Sequence, residues 1–215
     1  MAERALRFHF DYISPYSYLA WHRLRTFAPA HGLRVEPVPT VFAGLLNEHG
    51  HKGPGEIEPK RAYMFKDCLR GAALLNVPFE PPATHPFNPL PSLRASLLEM
   101  DDDTRAALIT RLYAATWAES RDIGSAAVVA SLSAEVGVPD VLERIQDPSL
   151  KKKLLDAGRE AISRGVFGVP TMIVDGELFW GTDSFTHLER FLAGNDPVRR
   201  EDAERWAAVE PSAKR

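Results

Sequence analysis

The chain has 215 residues, of which 45% are hydrophobic and 26% are charged, and its formal net charge at pH 7 is −3. This length supports one sizeable core, or one core with a large insertion folded against it. The near balance of charges provides no broad basic surface, so we expect no nucleic-acid partner. No stretch approaches the roughly 18 apolar residues of a membrane span, and the N-terminus does not resemble a secretory signal. The composition therefore predicts a cytoplasmic protein without a membrane partner.

The first predicted elements are a strand, a helix and a second strand. Apolar and polar residues alternate from Leu6 to Asp11, which is typical of a strand. A helical pattern then runs from about Pro15 to Ala30, with Ser14 as its N-cap and a proline at its first position. The strand pattern returns from Leu33 to Pro39.

The middle of the chain, residues 41–163, is predicted to be an inserted helical domain. It starts with a polar loop from Asn47 to Pro59, rich in Gly, His and Pro. Helical patterns follow from about Lys60 to Leu75, from Ser92 to about Val136 with breaks, and from Asp147 to Ser163.

The last part of the chain is predicted to be a hairpin followed by a helix. Thr171 to Val174 and Glu177 to Trp180 are short apolar runs joined by Asp-Gly, a strong hairpin signal. A closing helix is expected from Asp183 to Ala193, and residues 195–215 form a charged extension. The order βαβ, helical block, ββα predicts an α/β thioredoxin-like fold, with residues 1–40 and 164–194 as the thioredoxin-like domain.

The segment Ser14-Pro15-Tyr16-Ser17 is the first candidate site, because it lies where the first strand gives way to the first helix. Free amides and the helix dipole stabilise negative charge at such a position. Both positions of a possible Cys-x-x-Cys pair are serine, and the one cysteine, Cys68, lies far away, which excludes a disulfide oxidoreductase. Ser14 can stabilise a thiolate that a ligand brings; the alternative is that it only caps its helix.

The segment around Val169-Pro170 is the second candidate site. A proline at the start of a strand can follow a cis peptide bond, which would leave the backbone of Val169 free to pair with a peptide-like ligand. The alternative is a trans proline that simply opens the strand.

Taken together, these segments resemble a glutathione-dependent family, the 2-hydroxychromene-2-carboxylate isomerases and kappa-class glutathione transferases, which has a DsbA-like thioredoxin fold with a helical insertion. The resemblance rests on FDYISPYSYLAW (10–21) and GVFGVPTMIVDGELFWGTDSFTHLERFL (165–192). EPKRAYMFKDCLRGA (58–72) and HPFNPLPSLRA (85–95) support it, so that it spans the chain up to about Leu192.

The resemblance implies a role for several residues in binding glutathione. Ser14 would hydrogen-bond the sulfur, and Val169, before a cis-Pro170, would pair with the cysteinyl backbone. Asp183 would hold the γ-glutamyl ammonium group, and Lys60 would be a cationic contact to the tripeptide. Without the resemblance, Asp183 would be read as a helix cap and Lys60 as an exposed helix lysine.

The chain departs from the family pattern in two places. Ser184 follows the aspartate where the family often has arginine, and the loop at residues 50–54 reads GHKGP instead of Gly-Asn-x-Pro-Pro. His51 or Lys52 is a candidate replacement contact in that loop.

Three further residues are candidates for the substrate pocket. Tyr16 and Tyr18 would offer hydroxyl groups near the sulfur. Asn88, in a proline-rich loop, would face the substrate or satisfy the loop backbone instead.

The function implied by the resemblance is the cis–trans isomerisation of an aromatic pyruvate, a small-molecule substrate, by a homodimeric enzyme with glutathione as cofactor. Two alternatives stay open: a kappa-like transferase that conjugates electrophiles, and a non-catalytic peptide-binding module. The seven histidines show no paired ligand spacing, so we predict no metal site.

Overall fold

The computed structural model describes residues 4–210 and 212, and its strands form one mixed sheet in the order β2-β1-β3-β4. Strands β1 and β2 are parallel, whereas β3 is antiparallel to both β1 and β4. The strand bounds are β1 (Arg4–Phe10), β2 (Leu33–Pro39), β3 (Thr171–Val174) and β4 (Glu177–Trp180).

The helices of the described residues fall into three groups: one between β1 and β2, seven between β2 and β3, and two after β4. A short 3₁₀ turn, Pro54–Glu56, precedes α3. The helix bounds are α1 (Pro15–Ala30), α2 (Phe42–His49), α3 (Glu58–Leu75), α4 (Leu90–Ala95), α5 (Asp102–Trp117), α6 (Ala126–Glu135), α7 (Val141–Arg144), α8 (Pro148–Ser163), α9 (Phe185–Leu192) and α10 (Arg200–Ala207).

This architecture confirms the predicted thioredoxin-like arrangement of a βαβ unit and a ββα unit around one sheet. Helix α1 and strands β2, β3 and β4 begin and end where the sequence pattern predicts. The hairpin turn carries Asp175 and Gly176 with φ of 51° and 88°, which explains why an Asp-Gly pair is placed there.

Helix α2 was not predicted, because its start depends on a contact that is distant in sequence. Its N-cap, Val41, has no side chain that can cap a helix. The Phe42 amide instead donates to the Asp11 carboxylate at 2.8 Å. The expected loop at residues 47–59 is therefore shorter, since α2 continues to His49 and α3 already begins at Glu58.

The two faces of the sheet pack into different hydrophobic clusters. Met172 and Val174 point into the main core, which also contains residues of α1 and of the helical insertion, whereas Ile173 points into a smaller cluster with Leu45 and Ala161. The Trp117 indole connects the insertion to the turn after β1, because its Nε1 donates to the Tyr12 carbonyl at 2.9 Å. The insertion thus shares its core with the sheet that it covers.

The helices at the end of the chain differ in packing. Helix α9 buries Phe185 and Leu188, while α10, in the described part of the extension, buries no side chain. Across residues 4–210 and 212, every helix is too short or too polar to cross a bilayer.

Candidate functional site

Ser14 is the N-cap of α1 and lies at the carboxyl end of β1. Its Oγ accepts a hydrogen bond from the Ser17 amide at 3.1 Å, which satisfies one of the free amides at the helix start. Ser14 is 8% exposed, and its backbone is extended. The predicted capping role of Ser14 is therefore confirmed, and its oxygen lies where the helix dipole is positive.

Val169 lies directly opposite Ser14, although 155 residues separate the two in sequence. The Val169–Pro170 peptide bond is cis. The Ser14 hydroxyl donates to the Val169 carbonyl at 3.5 Å, a long and therefore weak hydrogen bond. Among the described residues, none accepts a hydrogen bond from the Val169 amide. The backbone of Val169 thus offers a donor that the fold itself does not use.

The turn that carries Asp183 is attached to the same proline. The Gly181 amide donates to the Pro170 carbonyl at 3.0 Å. Gly181 has a φ of 89°, a conformation that favours glycine, and a Cβ there would lie 2.5 Å from the Asp183 carboxylate and would displace it. Asp183 is exposed, whereas the buried Ser184 hydroxyl donates to the Gly181 carbonyl at 2.8 Å. Asp183 is therefore available to a ligand, while Ser184 is occupied in shaping the turn.

A cavity of about 320 Å³ lies beside the first turn of α1, and we call it the α1–α3 cavity. It brings together two of the predicted site residues, Tyr16 and Lys60, with residues of the 3₁₀ turn and of α3. Lys60 is exposed and forms no ion pair with any described residue. The lining residues are Tyr16, Pro54, Pro59, Lys60, Tyr63 and Met64.

Tyr16 contributes its ring rather than its hydroxyl to the cavity. The hydroxyl donates to the Asp67 carboxylate at 3.0 Å. Burial, together with the neighbouring Cys68 and Asp67, raises the pKa of Tyr16 above its usual range. The phenol therefore stays neutral and does not act as an acid towards a ligand at neutral pH.

Asp11 lies three residues before Ser14 and is almost completely buried. One carboxylate oxygen accepts from the Phe42 amide at 2.8 Å and the other from the Ile13 amide at 3.1 Å. Burial raises the pKa of Asp11 to about 7, against the opposing effect of these amide bonds. Asp11 thus connects the turn before Ser14 with the start of α2.

His85 is a residue of the site region that the sequence analysis did not identify. Its Nε2 donates to the Ile13 carbonyl at 2.9 Å, since a carbonyl can only accept. Burial lowers the pKa of His85, so the ring is neutral at neutral pH. A Cβ at Gly55 would lie 2.6 Å from the ring, so the 3₁₀ turn packs directly on it. The sequence holds no local signal for either contact.

Three predicted residues do not join this arrangement. Tyr18 is fully buried and its hydroxyl donates to the Pro78 carbonyl at 2.6 Å, which corrects its expected place in the pocket. Residues 16 and 18 of a helix point about 200° apart, so only one of them can face the cavity. Asn88 accepts from the Leu90 amide at 3.1 Å and so satisfies its own loop, the alternative considered above. His51 is exposed after α2 and does not line the cavity.

Among residues 4–210 and 212, no three His, Cys, Asp or Glu side chains come together in a way that could hold a metal ion.

The chain matches known proteins over most of its length. Residues 5–193 match the family model of the DSBA-like thioredoxin domain. A 2-hydroxychromene-2-carboxylate isomerase of Sphingobium xenophagum is 32% identical over 193 residues, which cover 88% of this chain and 98% of the relative.

Two further comparisons point to the same group. The glutathione S-transferase kappa 2 of Caenorhabditis elegans is 29% identical over 211 residues, covering 88% of this chain and 92% of the relative. A solved structure of a 2-hydroxychromene-2-carboxylate isomerase superimposes with a TM-score of 0.80 at 25% identity, covering 96% of this chain and 100% of that structure.

Proposed function

We propose that this chain is a glutathione-dependent cis–trans isomerase of an aromatic pyruvate. The chain belongs to the family of DsbA-like thioredoxin proteins. Within that family it belongs to the group of 2-hydroxychromene-2-carboxylate isomerases and kappa-class glutathione transferases. The observation that carries the proposal is the meeting of Ser14 and Val169 at the N-terminus of α1. A serine hydroxyl, a free backbone amide and a helix dipole converge there.

The groups around Ser14 offer hydrogen bonds and charges that complement those of glutathione. The Ser14 hydroxyl has only a weak internal acceptor, so it can turn to a ligand sulfur. The Val169 amide can donate to the carbonyl of a cysteinyl residue, as in one rung of a β-ladder. The exposed Asp183 carboxylate can accept from an ammonium group, and the exposed Lys60 ammonium can donate to a carboxylate.

When bound, glutathione supplies a thiolate that can add reversibly to a conjugated double bond and so permit rotation about it. The residues of this chain hold and orient that thiolate. The Ser14 hydroxyl and the amides of the first α1 turn stabilise negative charge at the sulfur position. Val169 and Asp183 fix the position of the tripeptide, so that the sulfur is presented to the substrate at short range.

The proposal is tested by following cis–trans interconversion of a 2-hydroxybenzylidene pyruvate with and without glutathione. We expect interconversion to require glutathione and the free thiol to be recovered in full. Catalysis of equal rate without glutathione would contradict the proposal.

A kappa-like transferase is the second candidate, because the kappa relative is 29% identical over most of its length. The same site would then form a lasting bond between sulfur and an electrophile. The product distinguishes the two, since a transferase accumulates a conjugate whereas an isomerase returns the thiol. A peptide-binding module, the third alternative, would bind unfolded peptides but not glutathione in calorimetry.

The homodimeric state, the cytoplasmic location and the inserted domain at residues 41–163 stay predictions. Size-exclusion chromatography with light scattering would test the first of them.

A further inference from the structure

The peptide bond between Ile13 and Ser14 is hydrogen-bonded on both of its sides. Its carbonyl accepts from the His85 Nε2 at 2.9 Å, and its amide donates to the Asp11 carbonyl at 3.1 Å. In the described part of the chain, His85 is the one donor to this carbonyl. Because a peptide group is planar, two bonds on its two sides fix its orientation and, with it, the place of the Ser14 Cα.

The preceding peptide bond, between Tyr12 and Ile13, is held in the same way. Its carbonyl accepts from the Trp117 Nε1 at 2.9 Å, and its amide donates to the Asp11 carboxylate at 3.1 Å. Both ring donors belong to the segment between β2 and β3, and the rings of His85 and Trp117 lie with their centroids 5.8 Å apart. The helical part of the chain therefore holds both carbonyls of the turn that leads to Ser14.

The His85 ring is itself confined by its neighbours. A Cβ at Gly55 would lie 2.6 Å from the ring, and the Phe65 ring packs against it edge-on at a centroid distance of 5.6 Å. The Nδ1 of His85 is buried and has no hydrogen-bond partner among the described residues. The ring thus makes one hydrogen bond, to the Ile13 carbonyl, and it serves as a placed N–H donor rather than as a charge.

We infer that His85 is a positioning residue for Ser14, because its Nε2–H fixes the peptide group that carries the Ser14 amide. The inference rests on the proposed function, which assigns the ligand sulfur to the Ser14 hydroxyl and the start of α1. His85 acts through the backbone of Ile13 and not by contact with the sulfur. A displacement of about 1 Å at a reacting group can lower a rate about 10²-fold, so a held turn matters for the reaction.

Two variants separate the N–H of His85 from its bulk. His85→Leu keeps an apolar side chain but removes the donor, whereas His85→Gln keeps an N–H donor. His85→Leu should lower kcat about ten- to hundredfold at saturating glutathione, with the affinity for glutathione within about threefold, because Val169 and Asp183 still hold the tripeptide. His85→Gln should keep kcat within about threefold of the wild type. Equal losses of kcat in the two variants would overturn the inference.

His31→Leu is the matched control for His85→Leu. The His31 Nδ1 also donates to a backbone carbonyl, that of Phe27, at 2.9 Å, but it does so at the other end of α1. The control should therefore keep the kcat of the wild type. A loss of kcat equal to that in His85→Leu would overturn the inference, because any lost bond to a carbonyl would then have the same effect.

Gly55→Ala disturbs the same contact without removing an atom of His85. The added Cβ would collide with the ring at 2.6 Å, whereas Gly44→Ala adds a Cβ in open space on α2. Gly55→Ala should lower kcat, and Gly44→Ala should not. If His85→Leu does not fold, this pair decides the inference, and the kcat of the wild type in Gly55→Ala would overturn it.

Ser14→Cys makes a further measurement independent of glutathione. The introduced thiol replaces the hydroxyl at the helix start, and the ultraviolet absorbance of its thiolate gives its pKa without a ligand. In this background His85→Leu should raise the pKa of the introduced thiol by about half a unit or more, because the first amides of α1 no longer face it in the same place. His85→Gln and His31→Leu should leave that pKa unchanged.

This measurement separates the inference from the proposed function. The same thiol pKa with and without His85→Leu would overturn the inference and leave the proposed function intact. If the wild type catalyses equally well without glutathione while the thiol pKa still depends on His85, the proposed function is overturned and the positioning role of His85 stands.

Discussion

The two walls of the candidate site come from different parts of the chain and differ in chemistry. The wall formed by Ser14, Val169 and Asp183 lies in the segments just before α1, before β3 and after β4, and it offers backbone groups, a hydroxyl and a carboxylate. The wall of the α1–α3 cavity comes mainly from the insertion and offers rings, prolines and one ammonium group. The proposed function assigns the thiol of glutathione to the first wall, whereas the second wall is chemically suited to apolar groups.

The largest expected effect comes from removing the hydroxyl on the first wall. Ser14→Ala should lower kcat by about 10²–10³-fold, because it removes a donor to developing negative charge. It should also cost about 1 kcal/mol of stability through the lost helix cap. Turnover with saturating glutathione measures the first effect and chemical denaturation the second.

Asp101→Ala is the matched control for that loss of stability. Asp101 caps α5 by accepting from the Thr104 amide at 2.8 Å, away from the site. Its removal should cost a similar free energy while turnover stays within about twofold. Unchanged turnover in Ser14→Ala would refute the role given to the sheet wall.

The second effect concerns the turn that presents Asp183. Gly181→Ala should lower glutathione affinity about tenfold, because the added Cβ would collide with the Asp183 carboxylate at 2.5 Å. Gly176→Ala is the matched control, since Gly176 has nearly the same φ, 88°, but open space around it. Both variants should lose about 1 kcal/mol of stability through strain, and only Gly181→Ala should lose affinity. Equal affinities would show that Asp183 does not hold the ligand.

The third effect is a pH dependence at Asp11, in the turn before Ser14. Burial raises the pKa of Asp11 to about 7, so the folded state keeps a proton that the unfolded state releases near pH 4. The contribution of Asp11 to stability is therefore complete below about pH 4 and is lost as the pH rises through 7. Asp11→Asn should remove a fall of about 2–4 kcal/mol between these limits.

Denaturation of wild type and Asp11→Asn at a series of pH values measures this difference. Because His9 and His85 are present in both proteins, their own titration cancels in the comparison. Parallel stability curves across this pH range would contradict the assigned pKa.

The smallest expected effect concerns Tyr18, whose hydroxyl is bonded in the core and not in the cavity. Tyr18→Phe removes the hydroxyl bonded to the Pro78 carbonyl and should cost about 1–2 kcal/mol of stability. Its KM for the aromatic substrate should not change, since the ring lies in the core. A raised KM at unchanged stability would return Tyr18 to the pocket.

The parts of the molecule that the sequence predicts well are those set by neighbours in the chain. The Ser14 cap, the Asp175-Gly176 turn and the bounds of α1, β3 and β4 all follow from residues within a few positions of each other. The resemblance added the expectation that Ser14 and Val169 bind the same cysteinyl residue of glutathione, and the two residues do lie together in the structure.

The remaining features depend on contacts between distant segments. Helix α2 starts because Asp11 accepts from the Phe42 amide, and His85 donates to the Ile13 carbonyl, 72 positions away in the sequence. The cavity wall formed by Tyr63 and Met64 appears only once α3 packs beside α1. Tertiary packing of this kind leaves no periodic or spacing signal in the sequence.

The central claim is that Ser14 and the start of α1 hold a glutathione thiolate at neutral pH. The most direct measurement is the pH dependence of the ultraviolet absorbance of the thiolate for glutathione bound to wild type and to Ser14→Ala. We predict a thiol pKa below that of free glutathione on the wild type, and a rise of about one pKa unit or more in the variant. The same thiol pKa in both proteins, or a value equal to that of free glutathione on the wild type, would contradict the account.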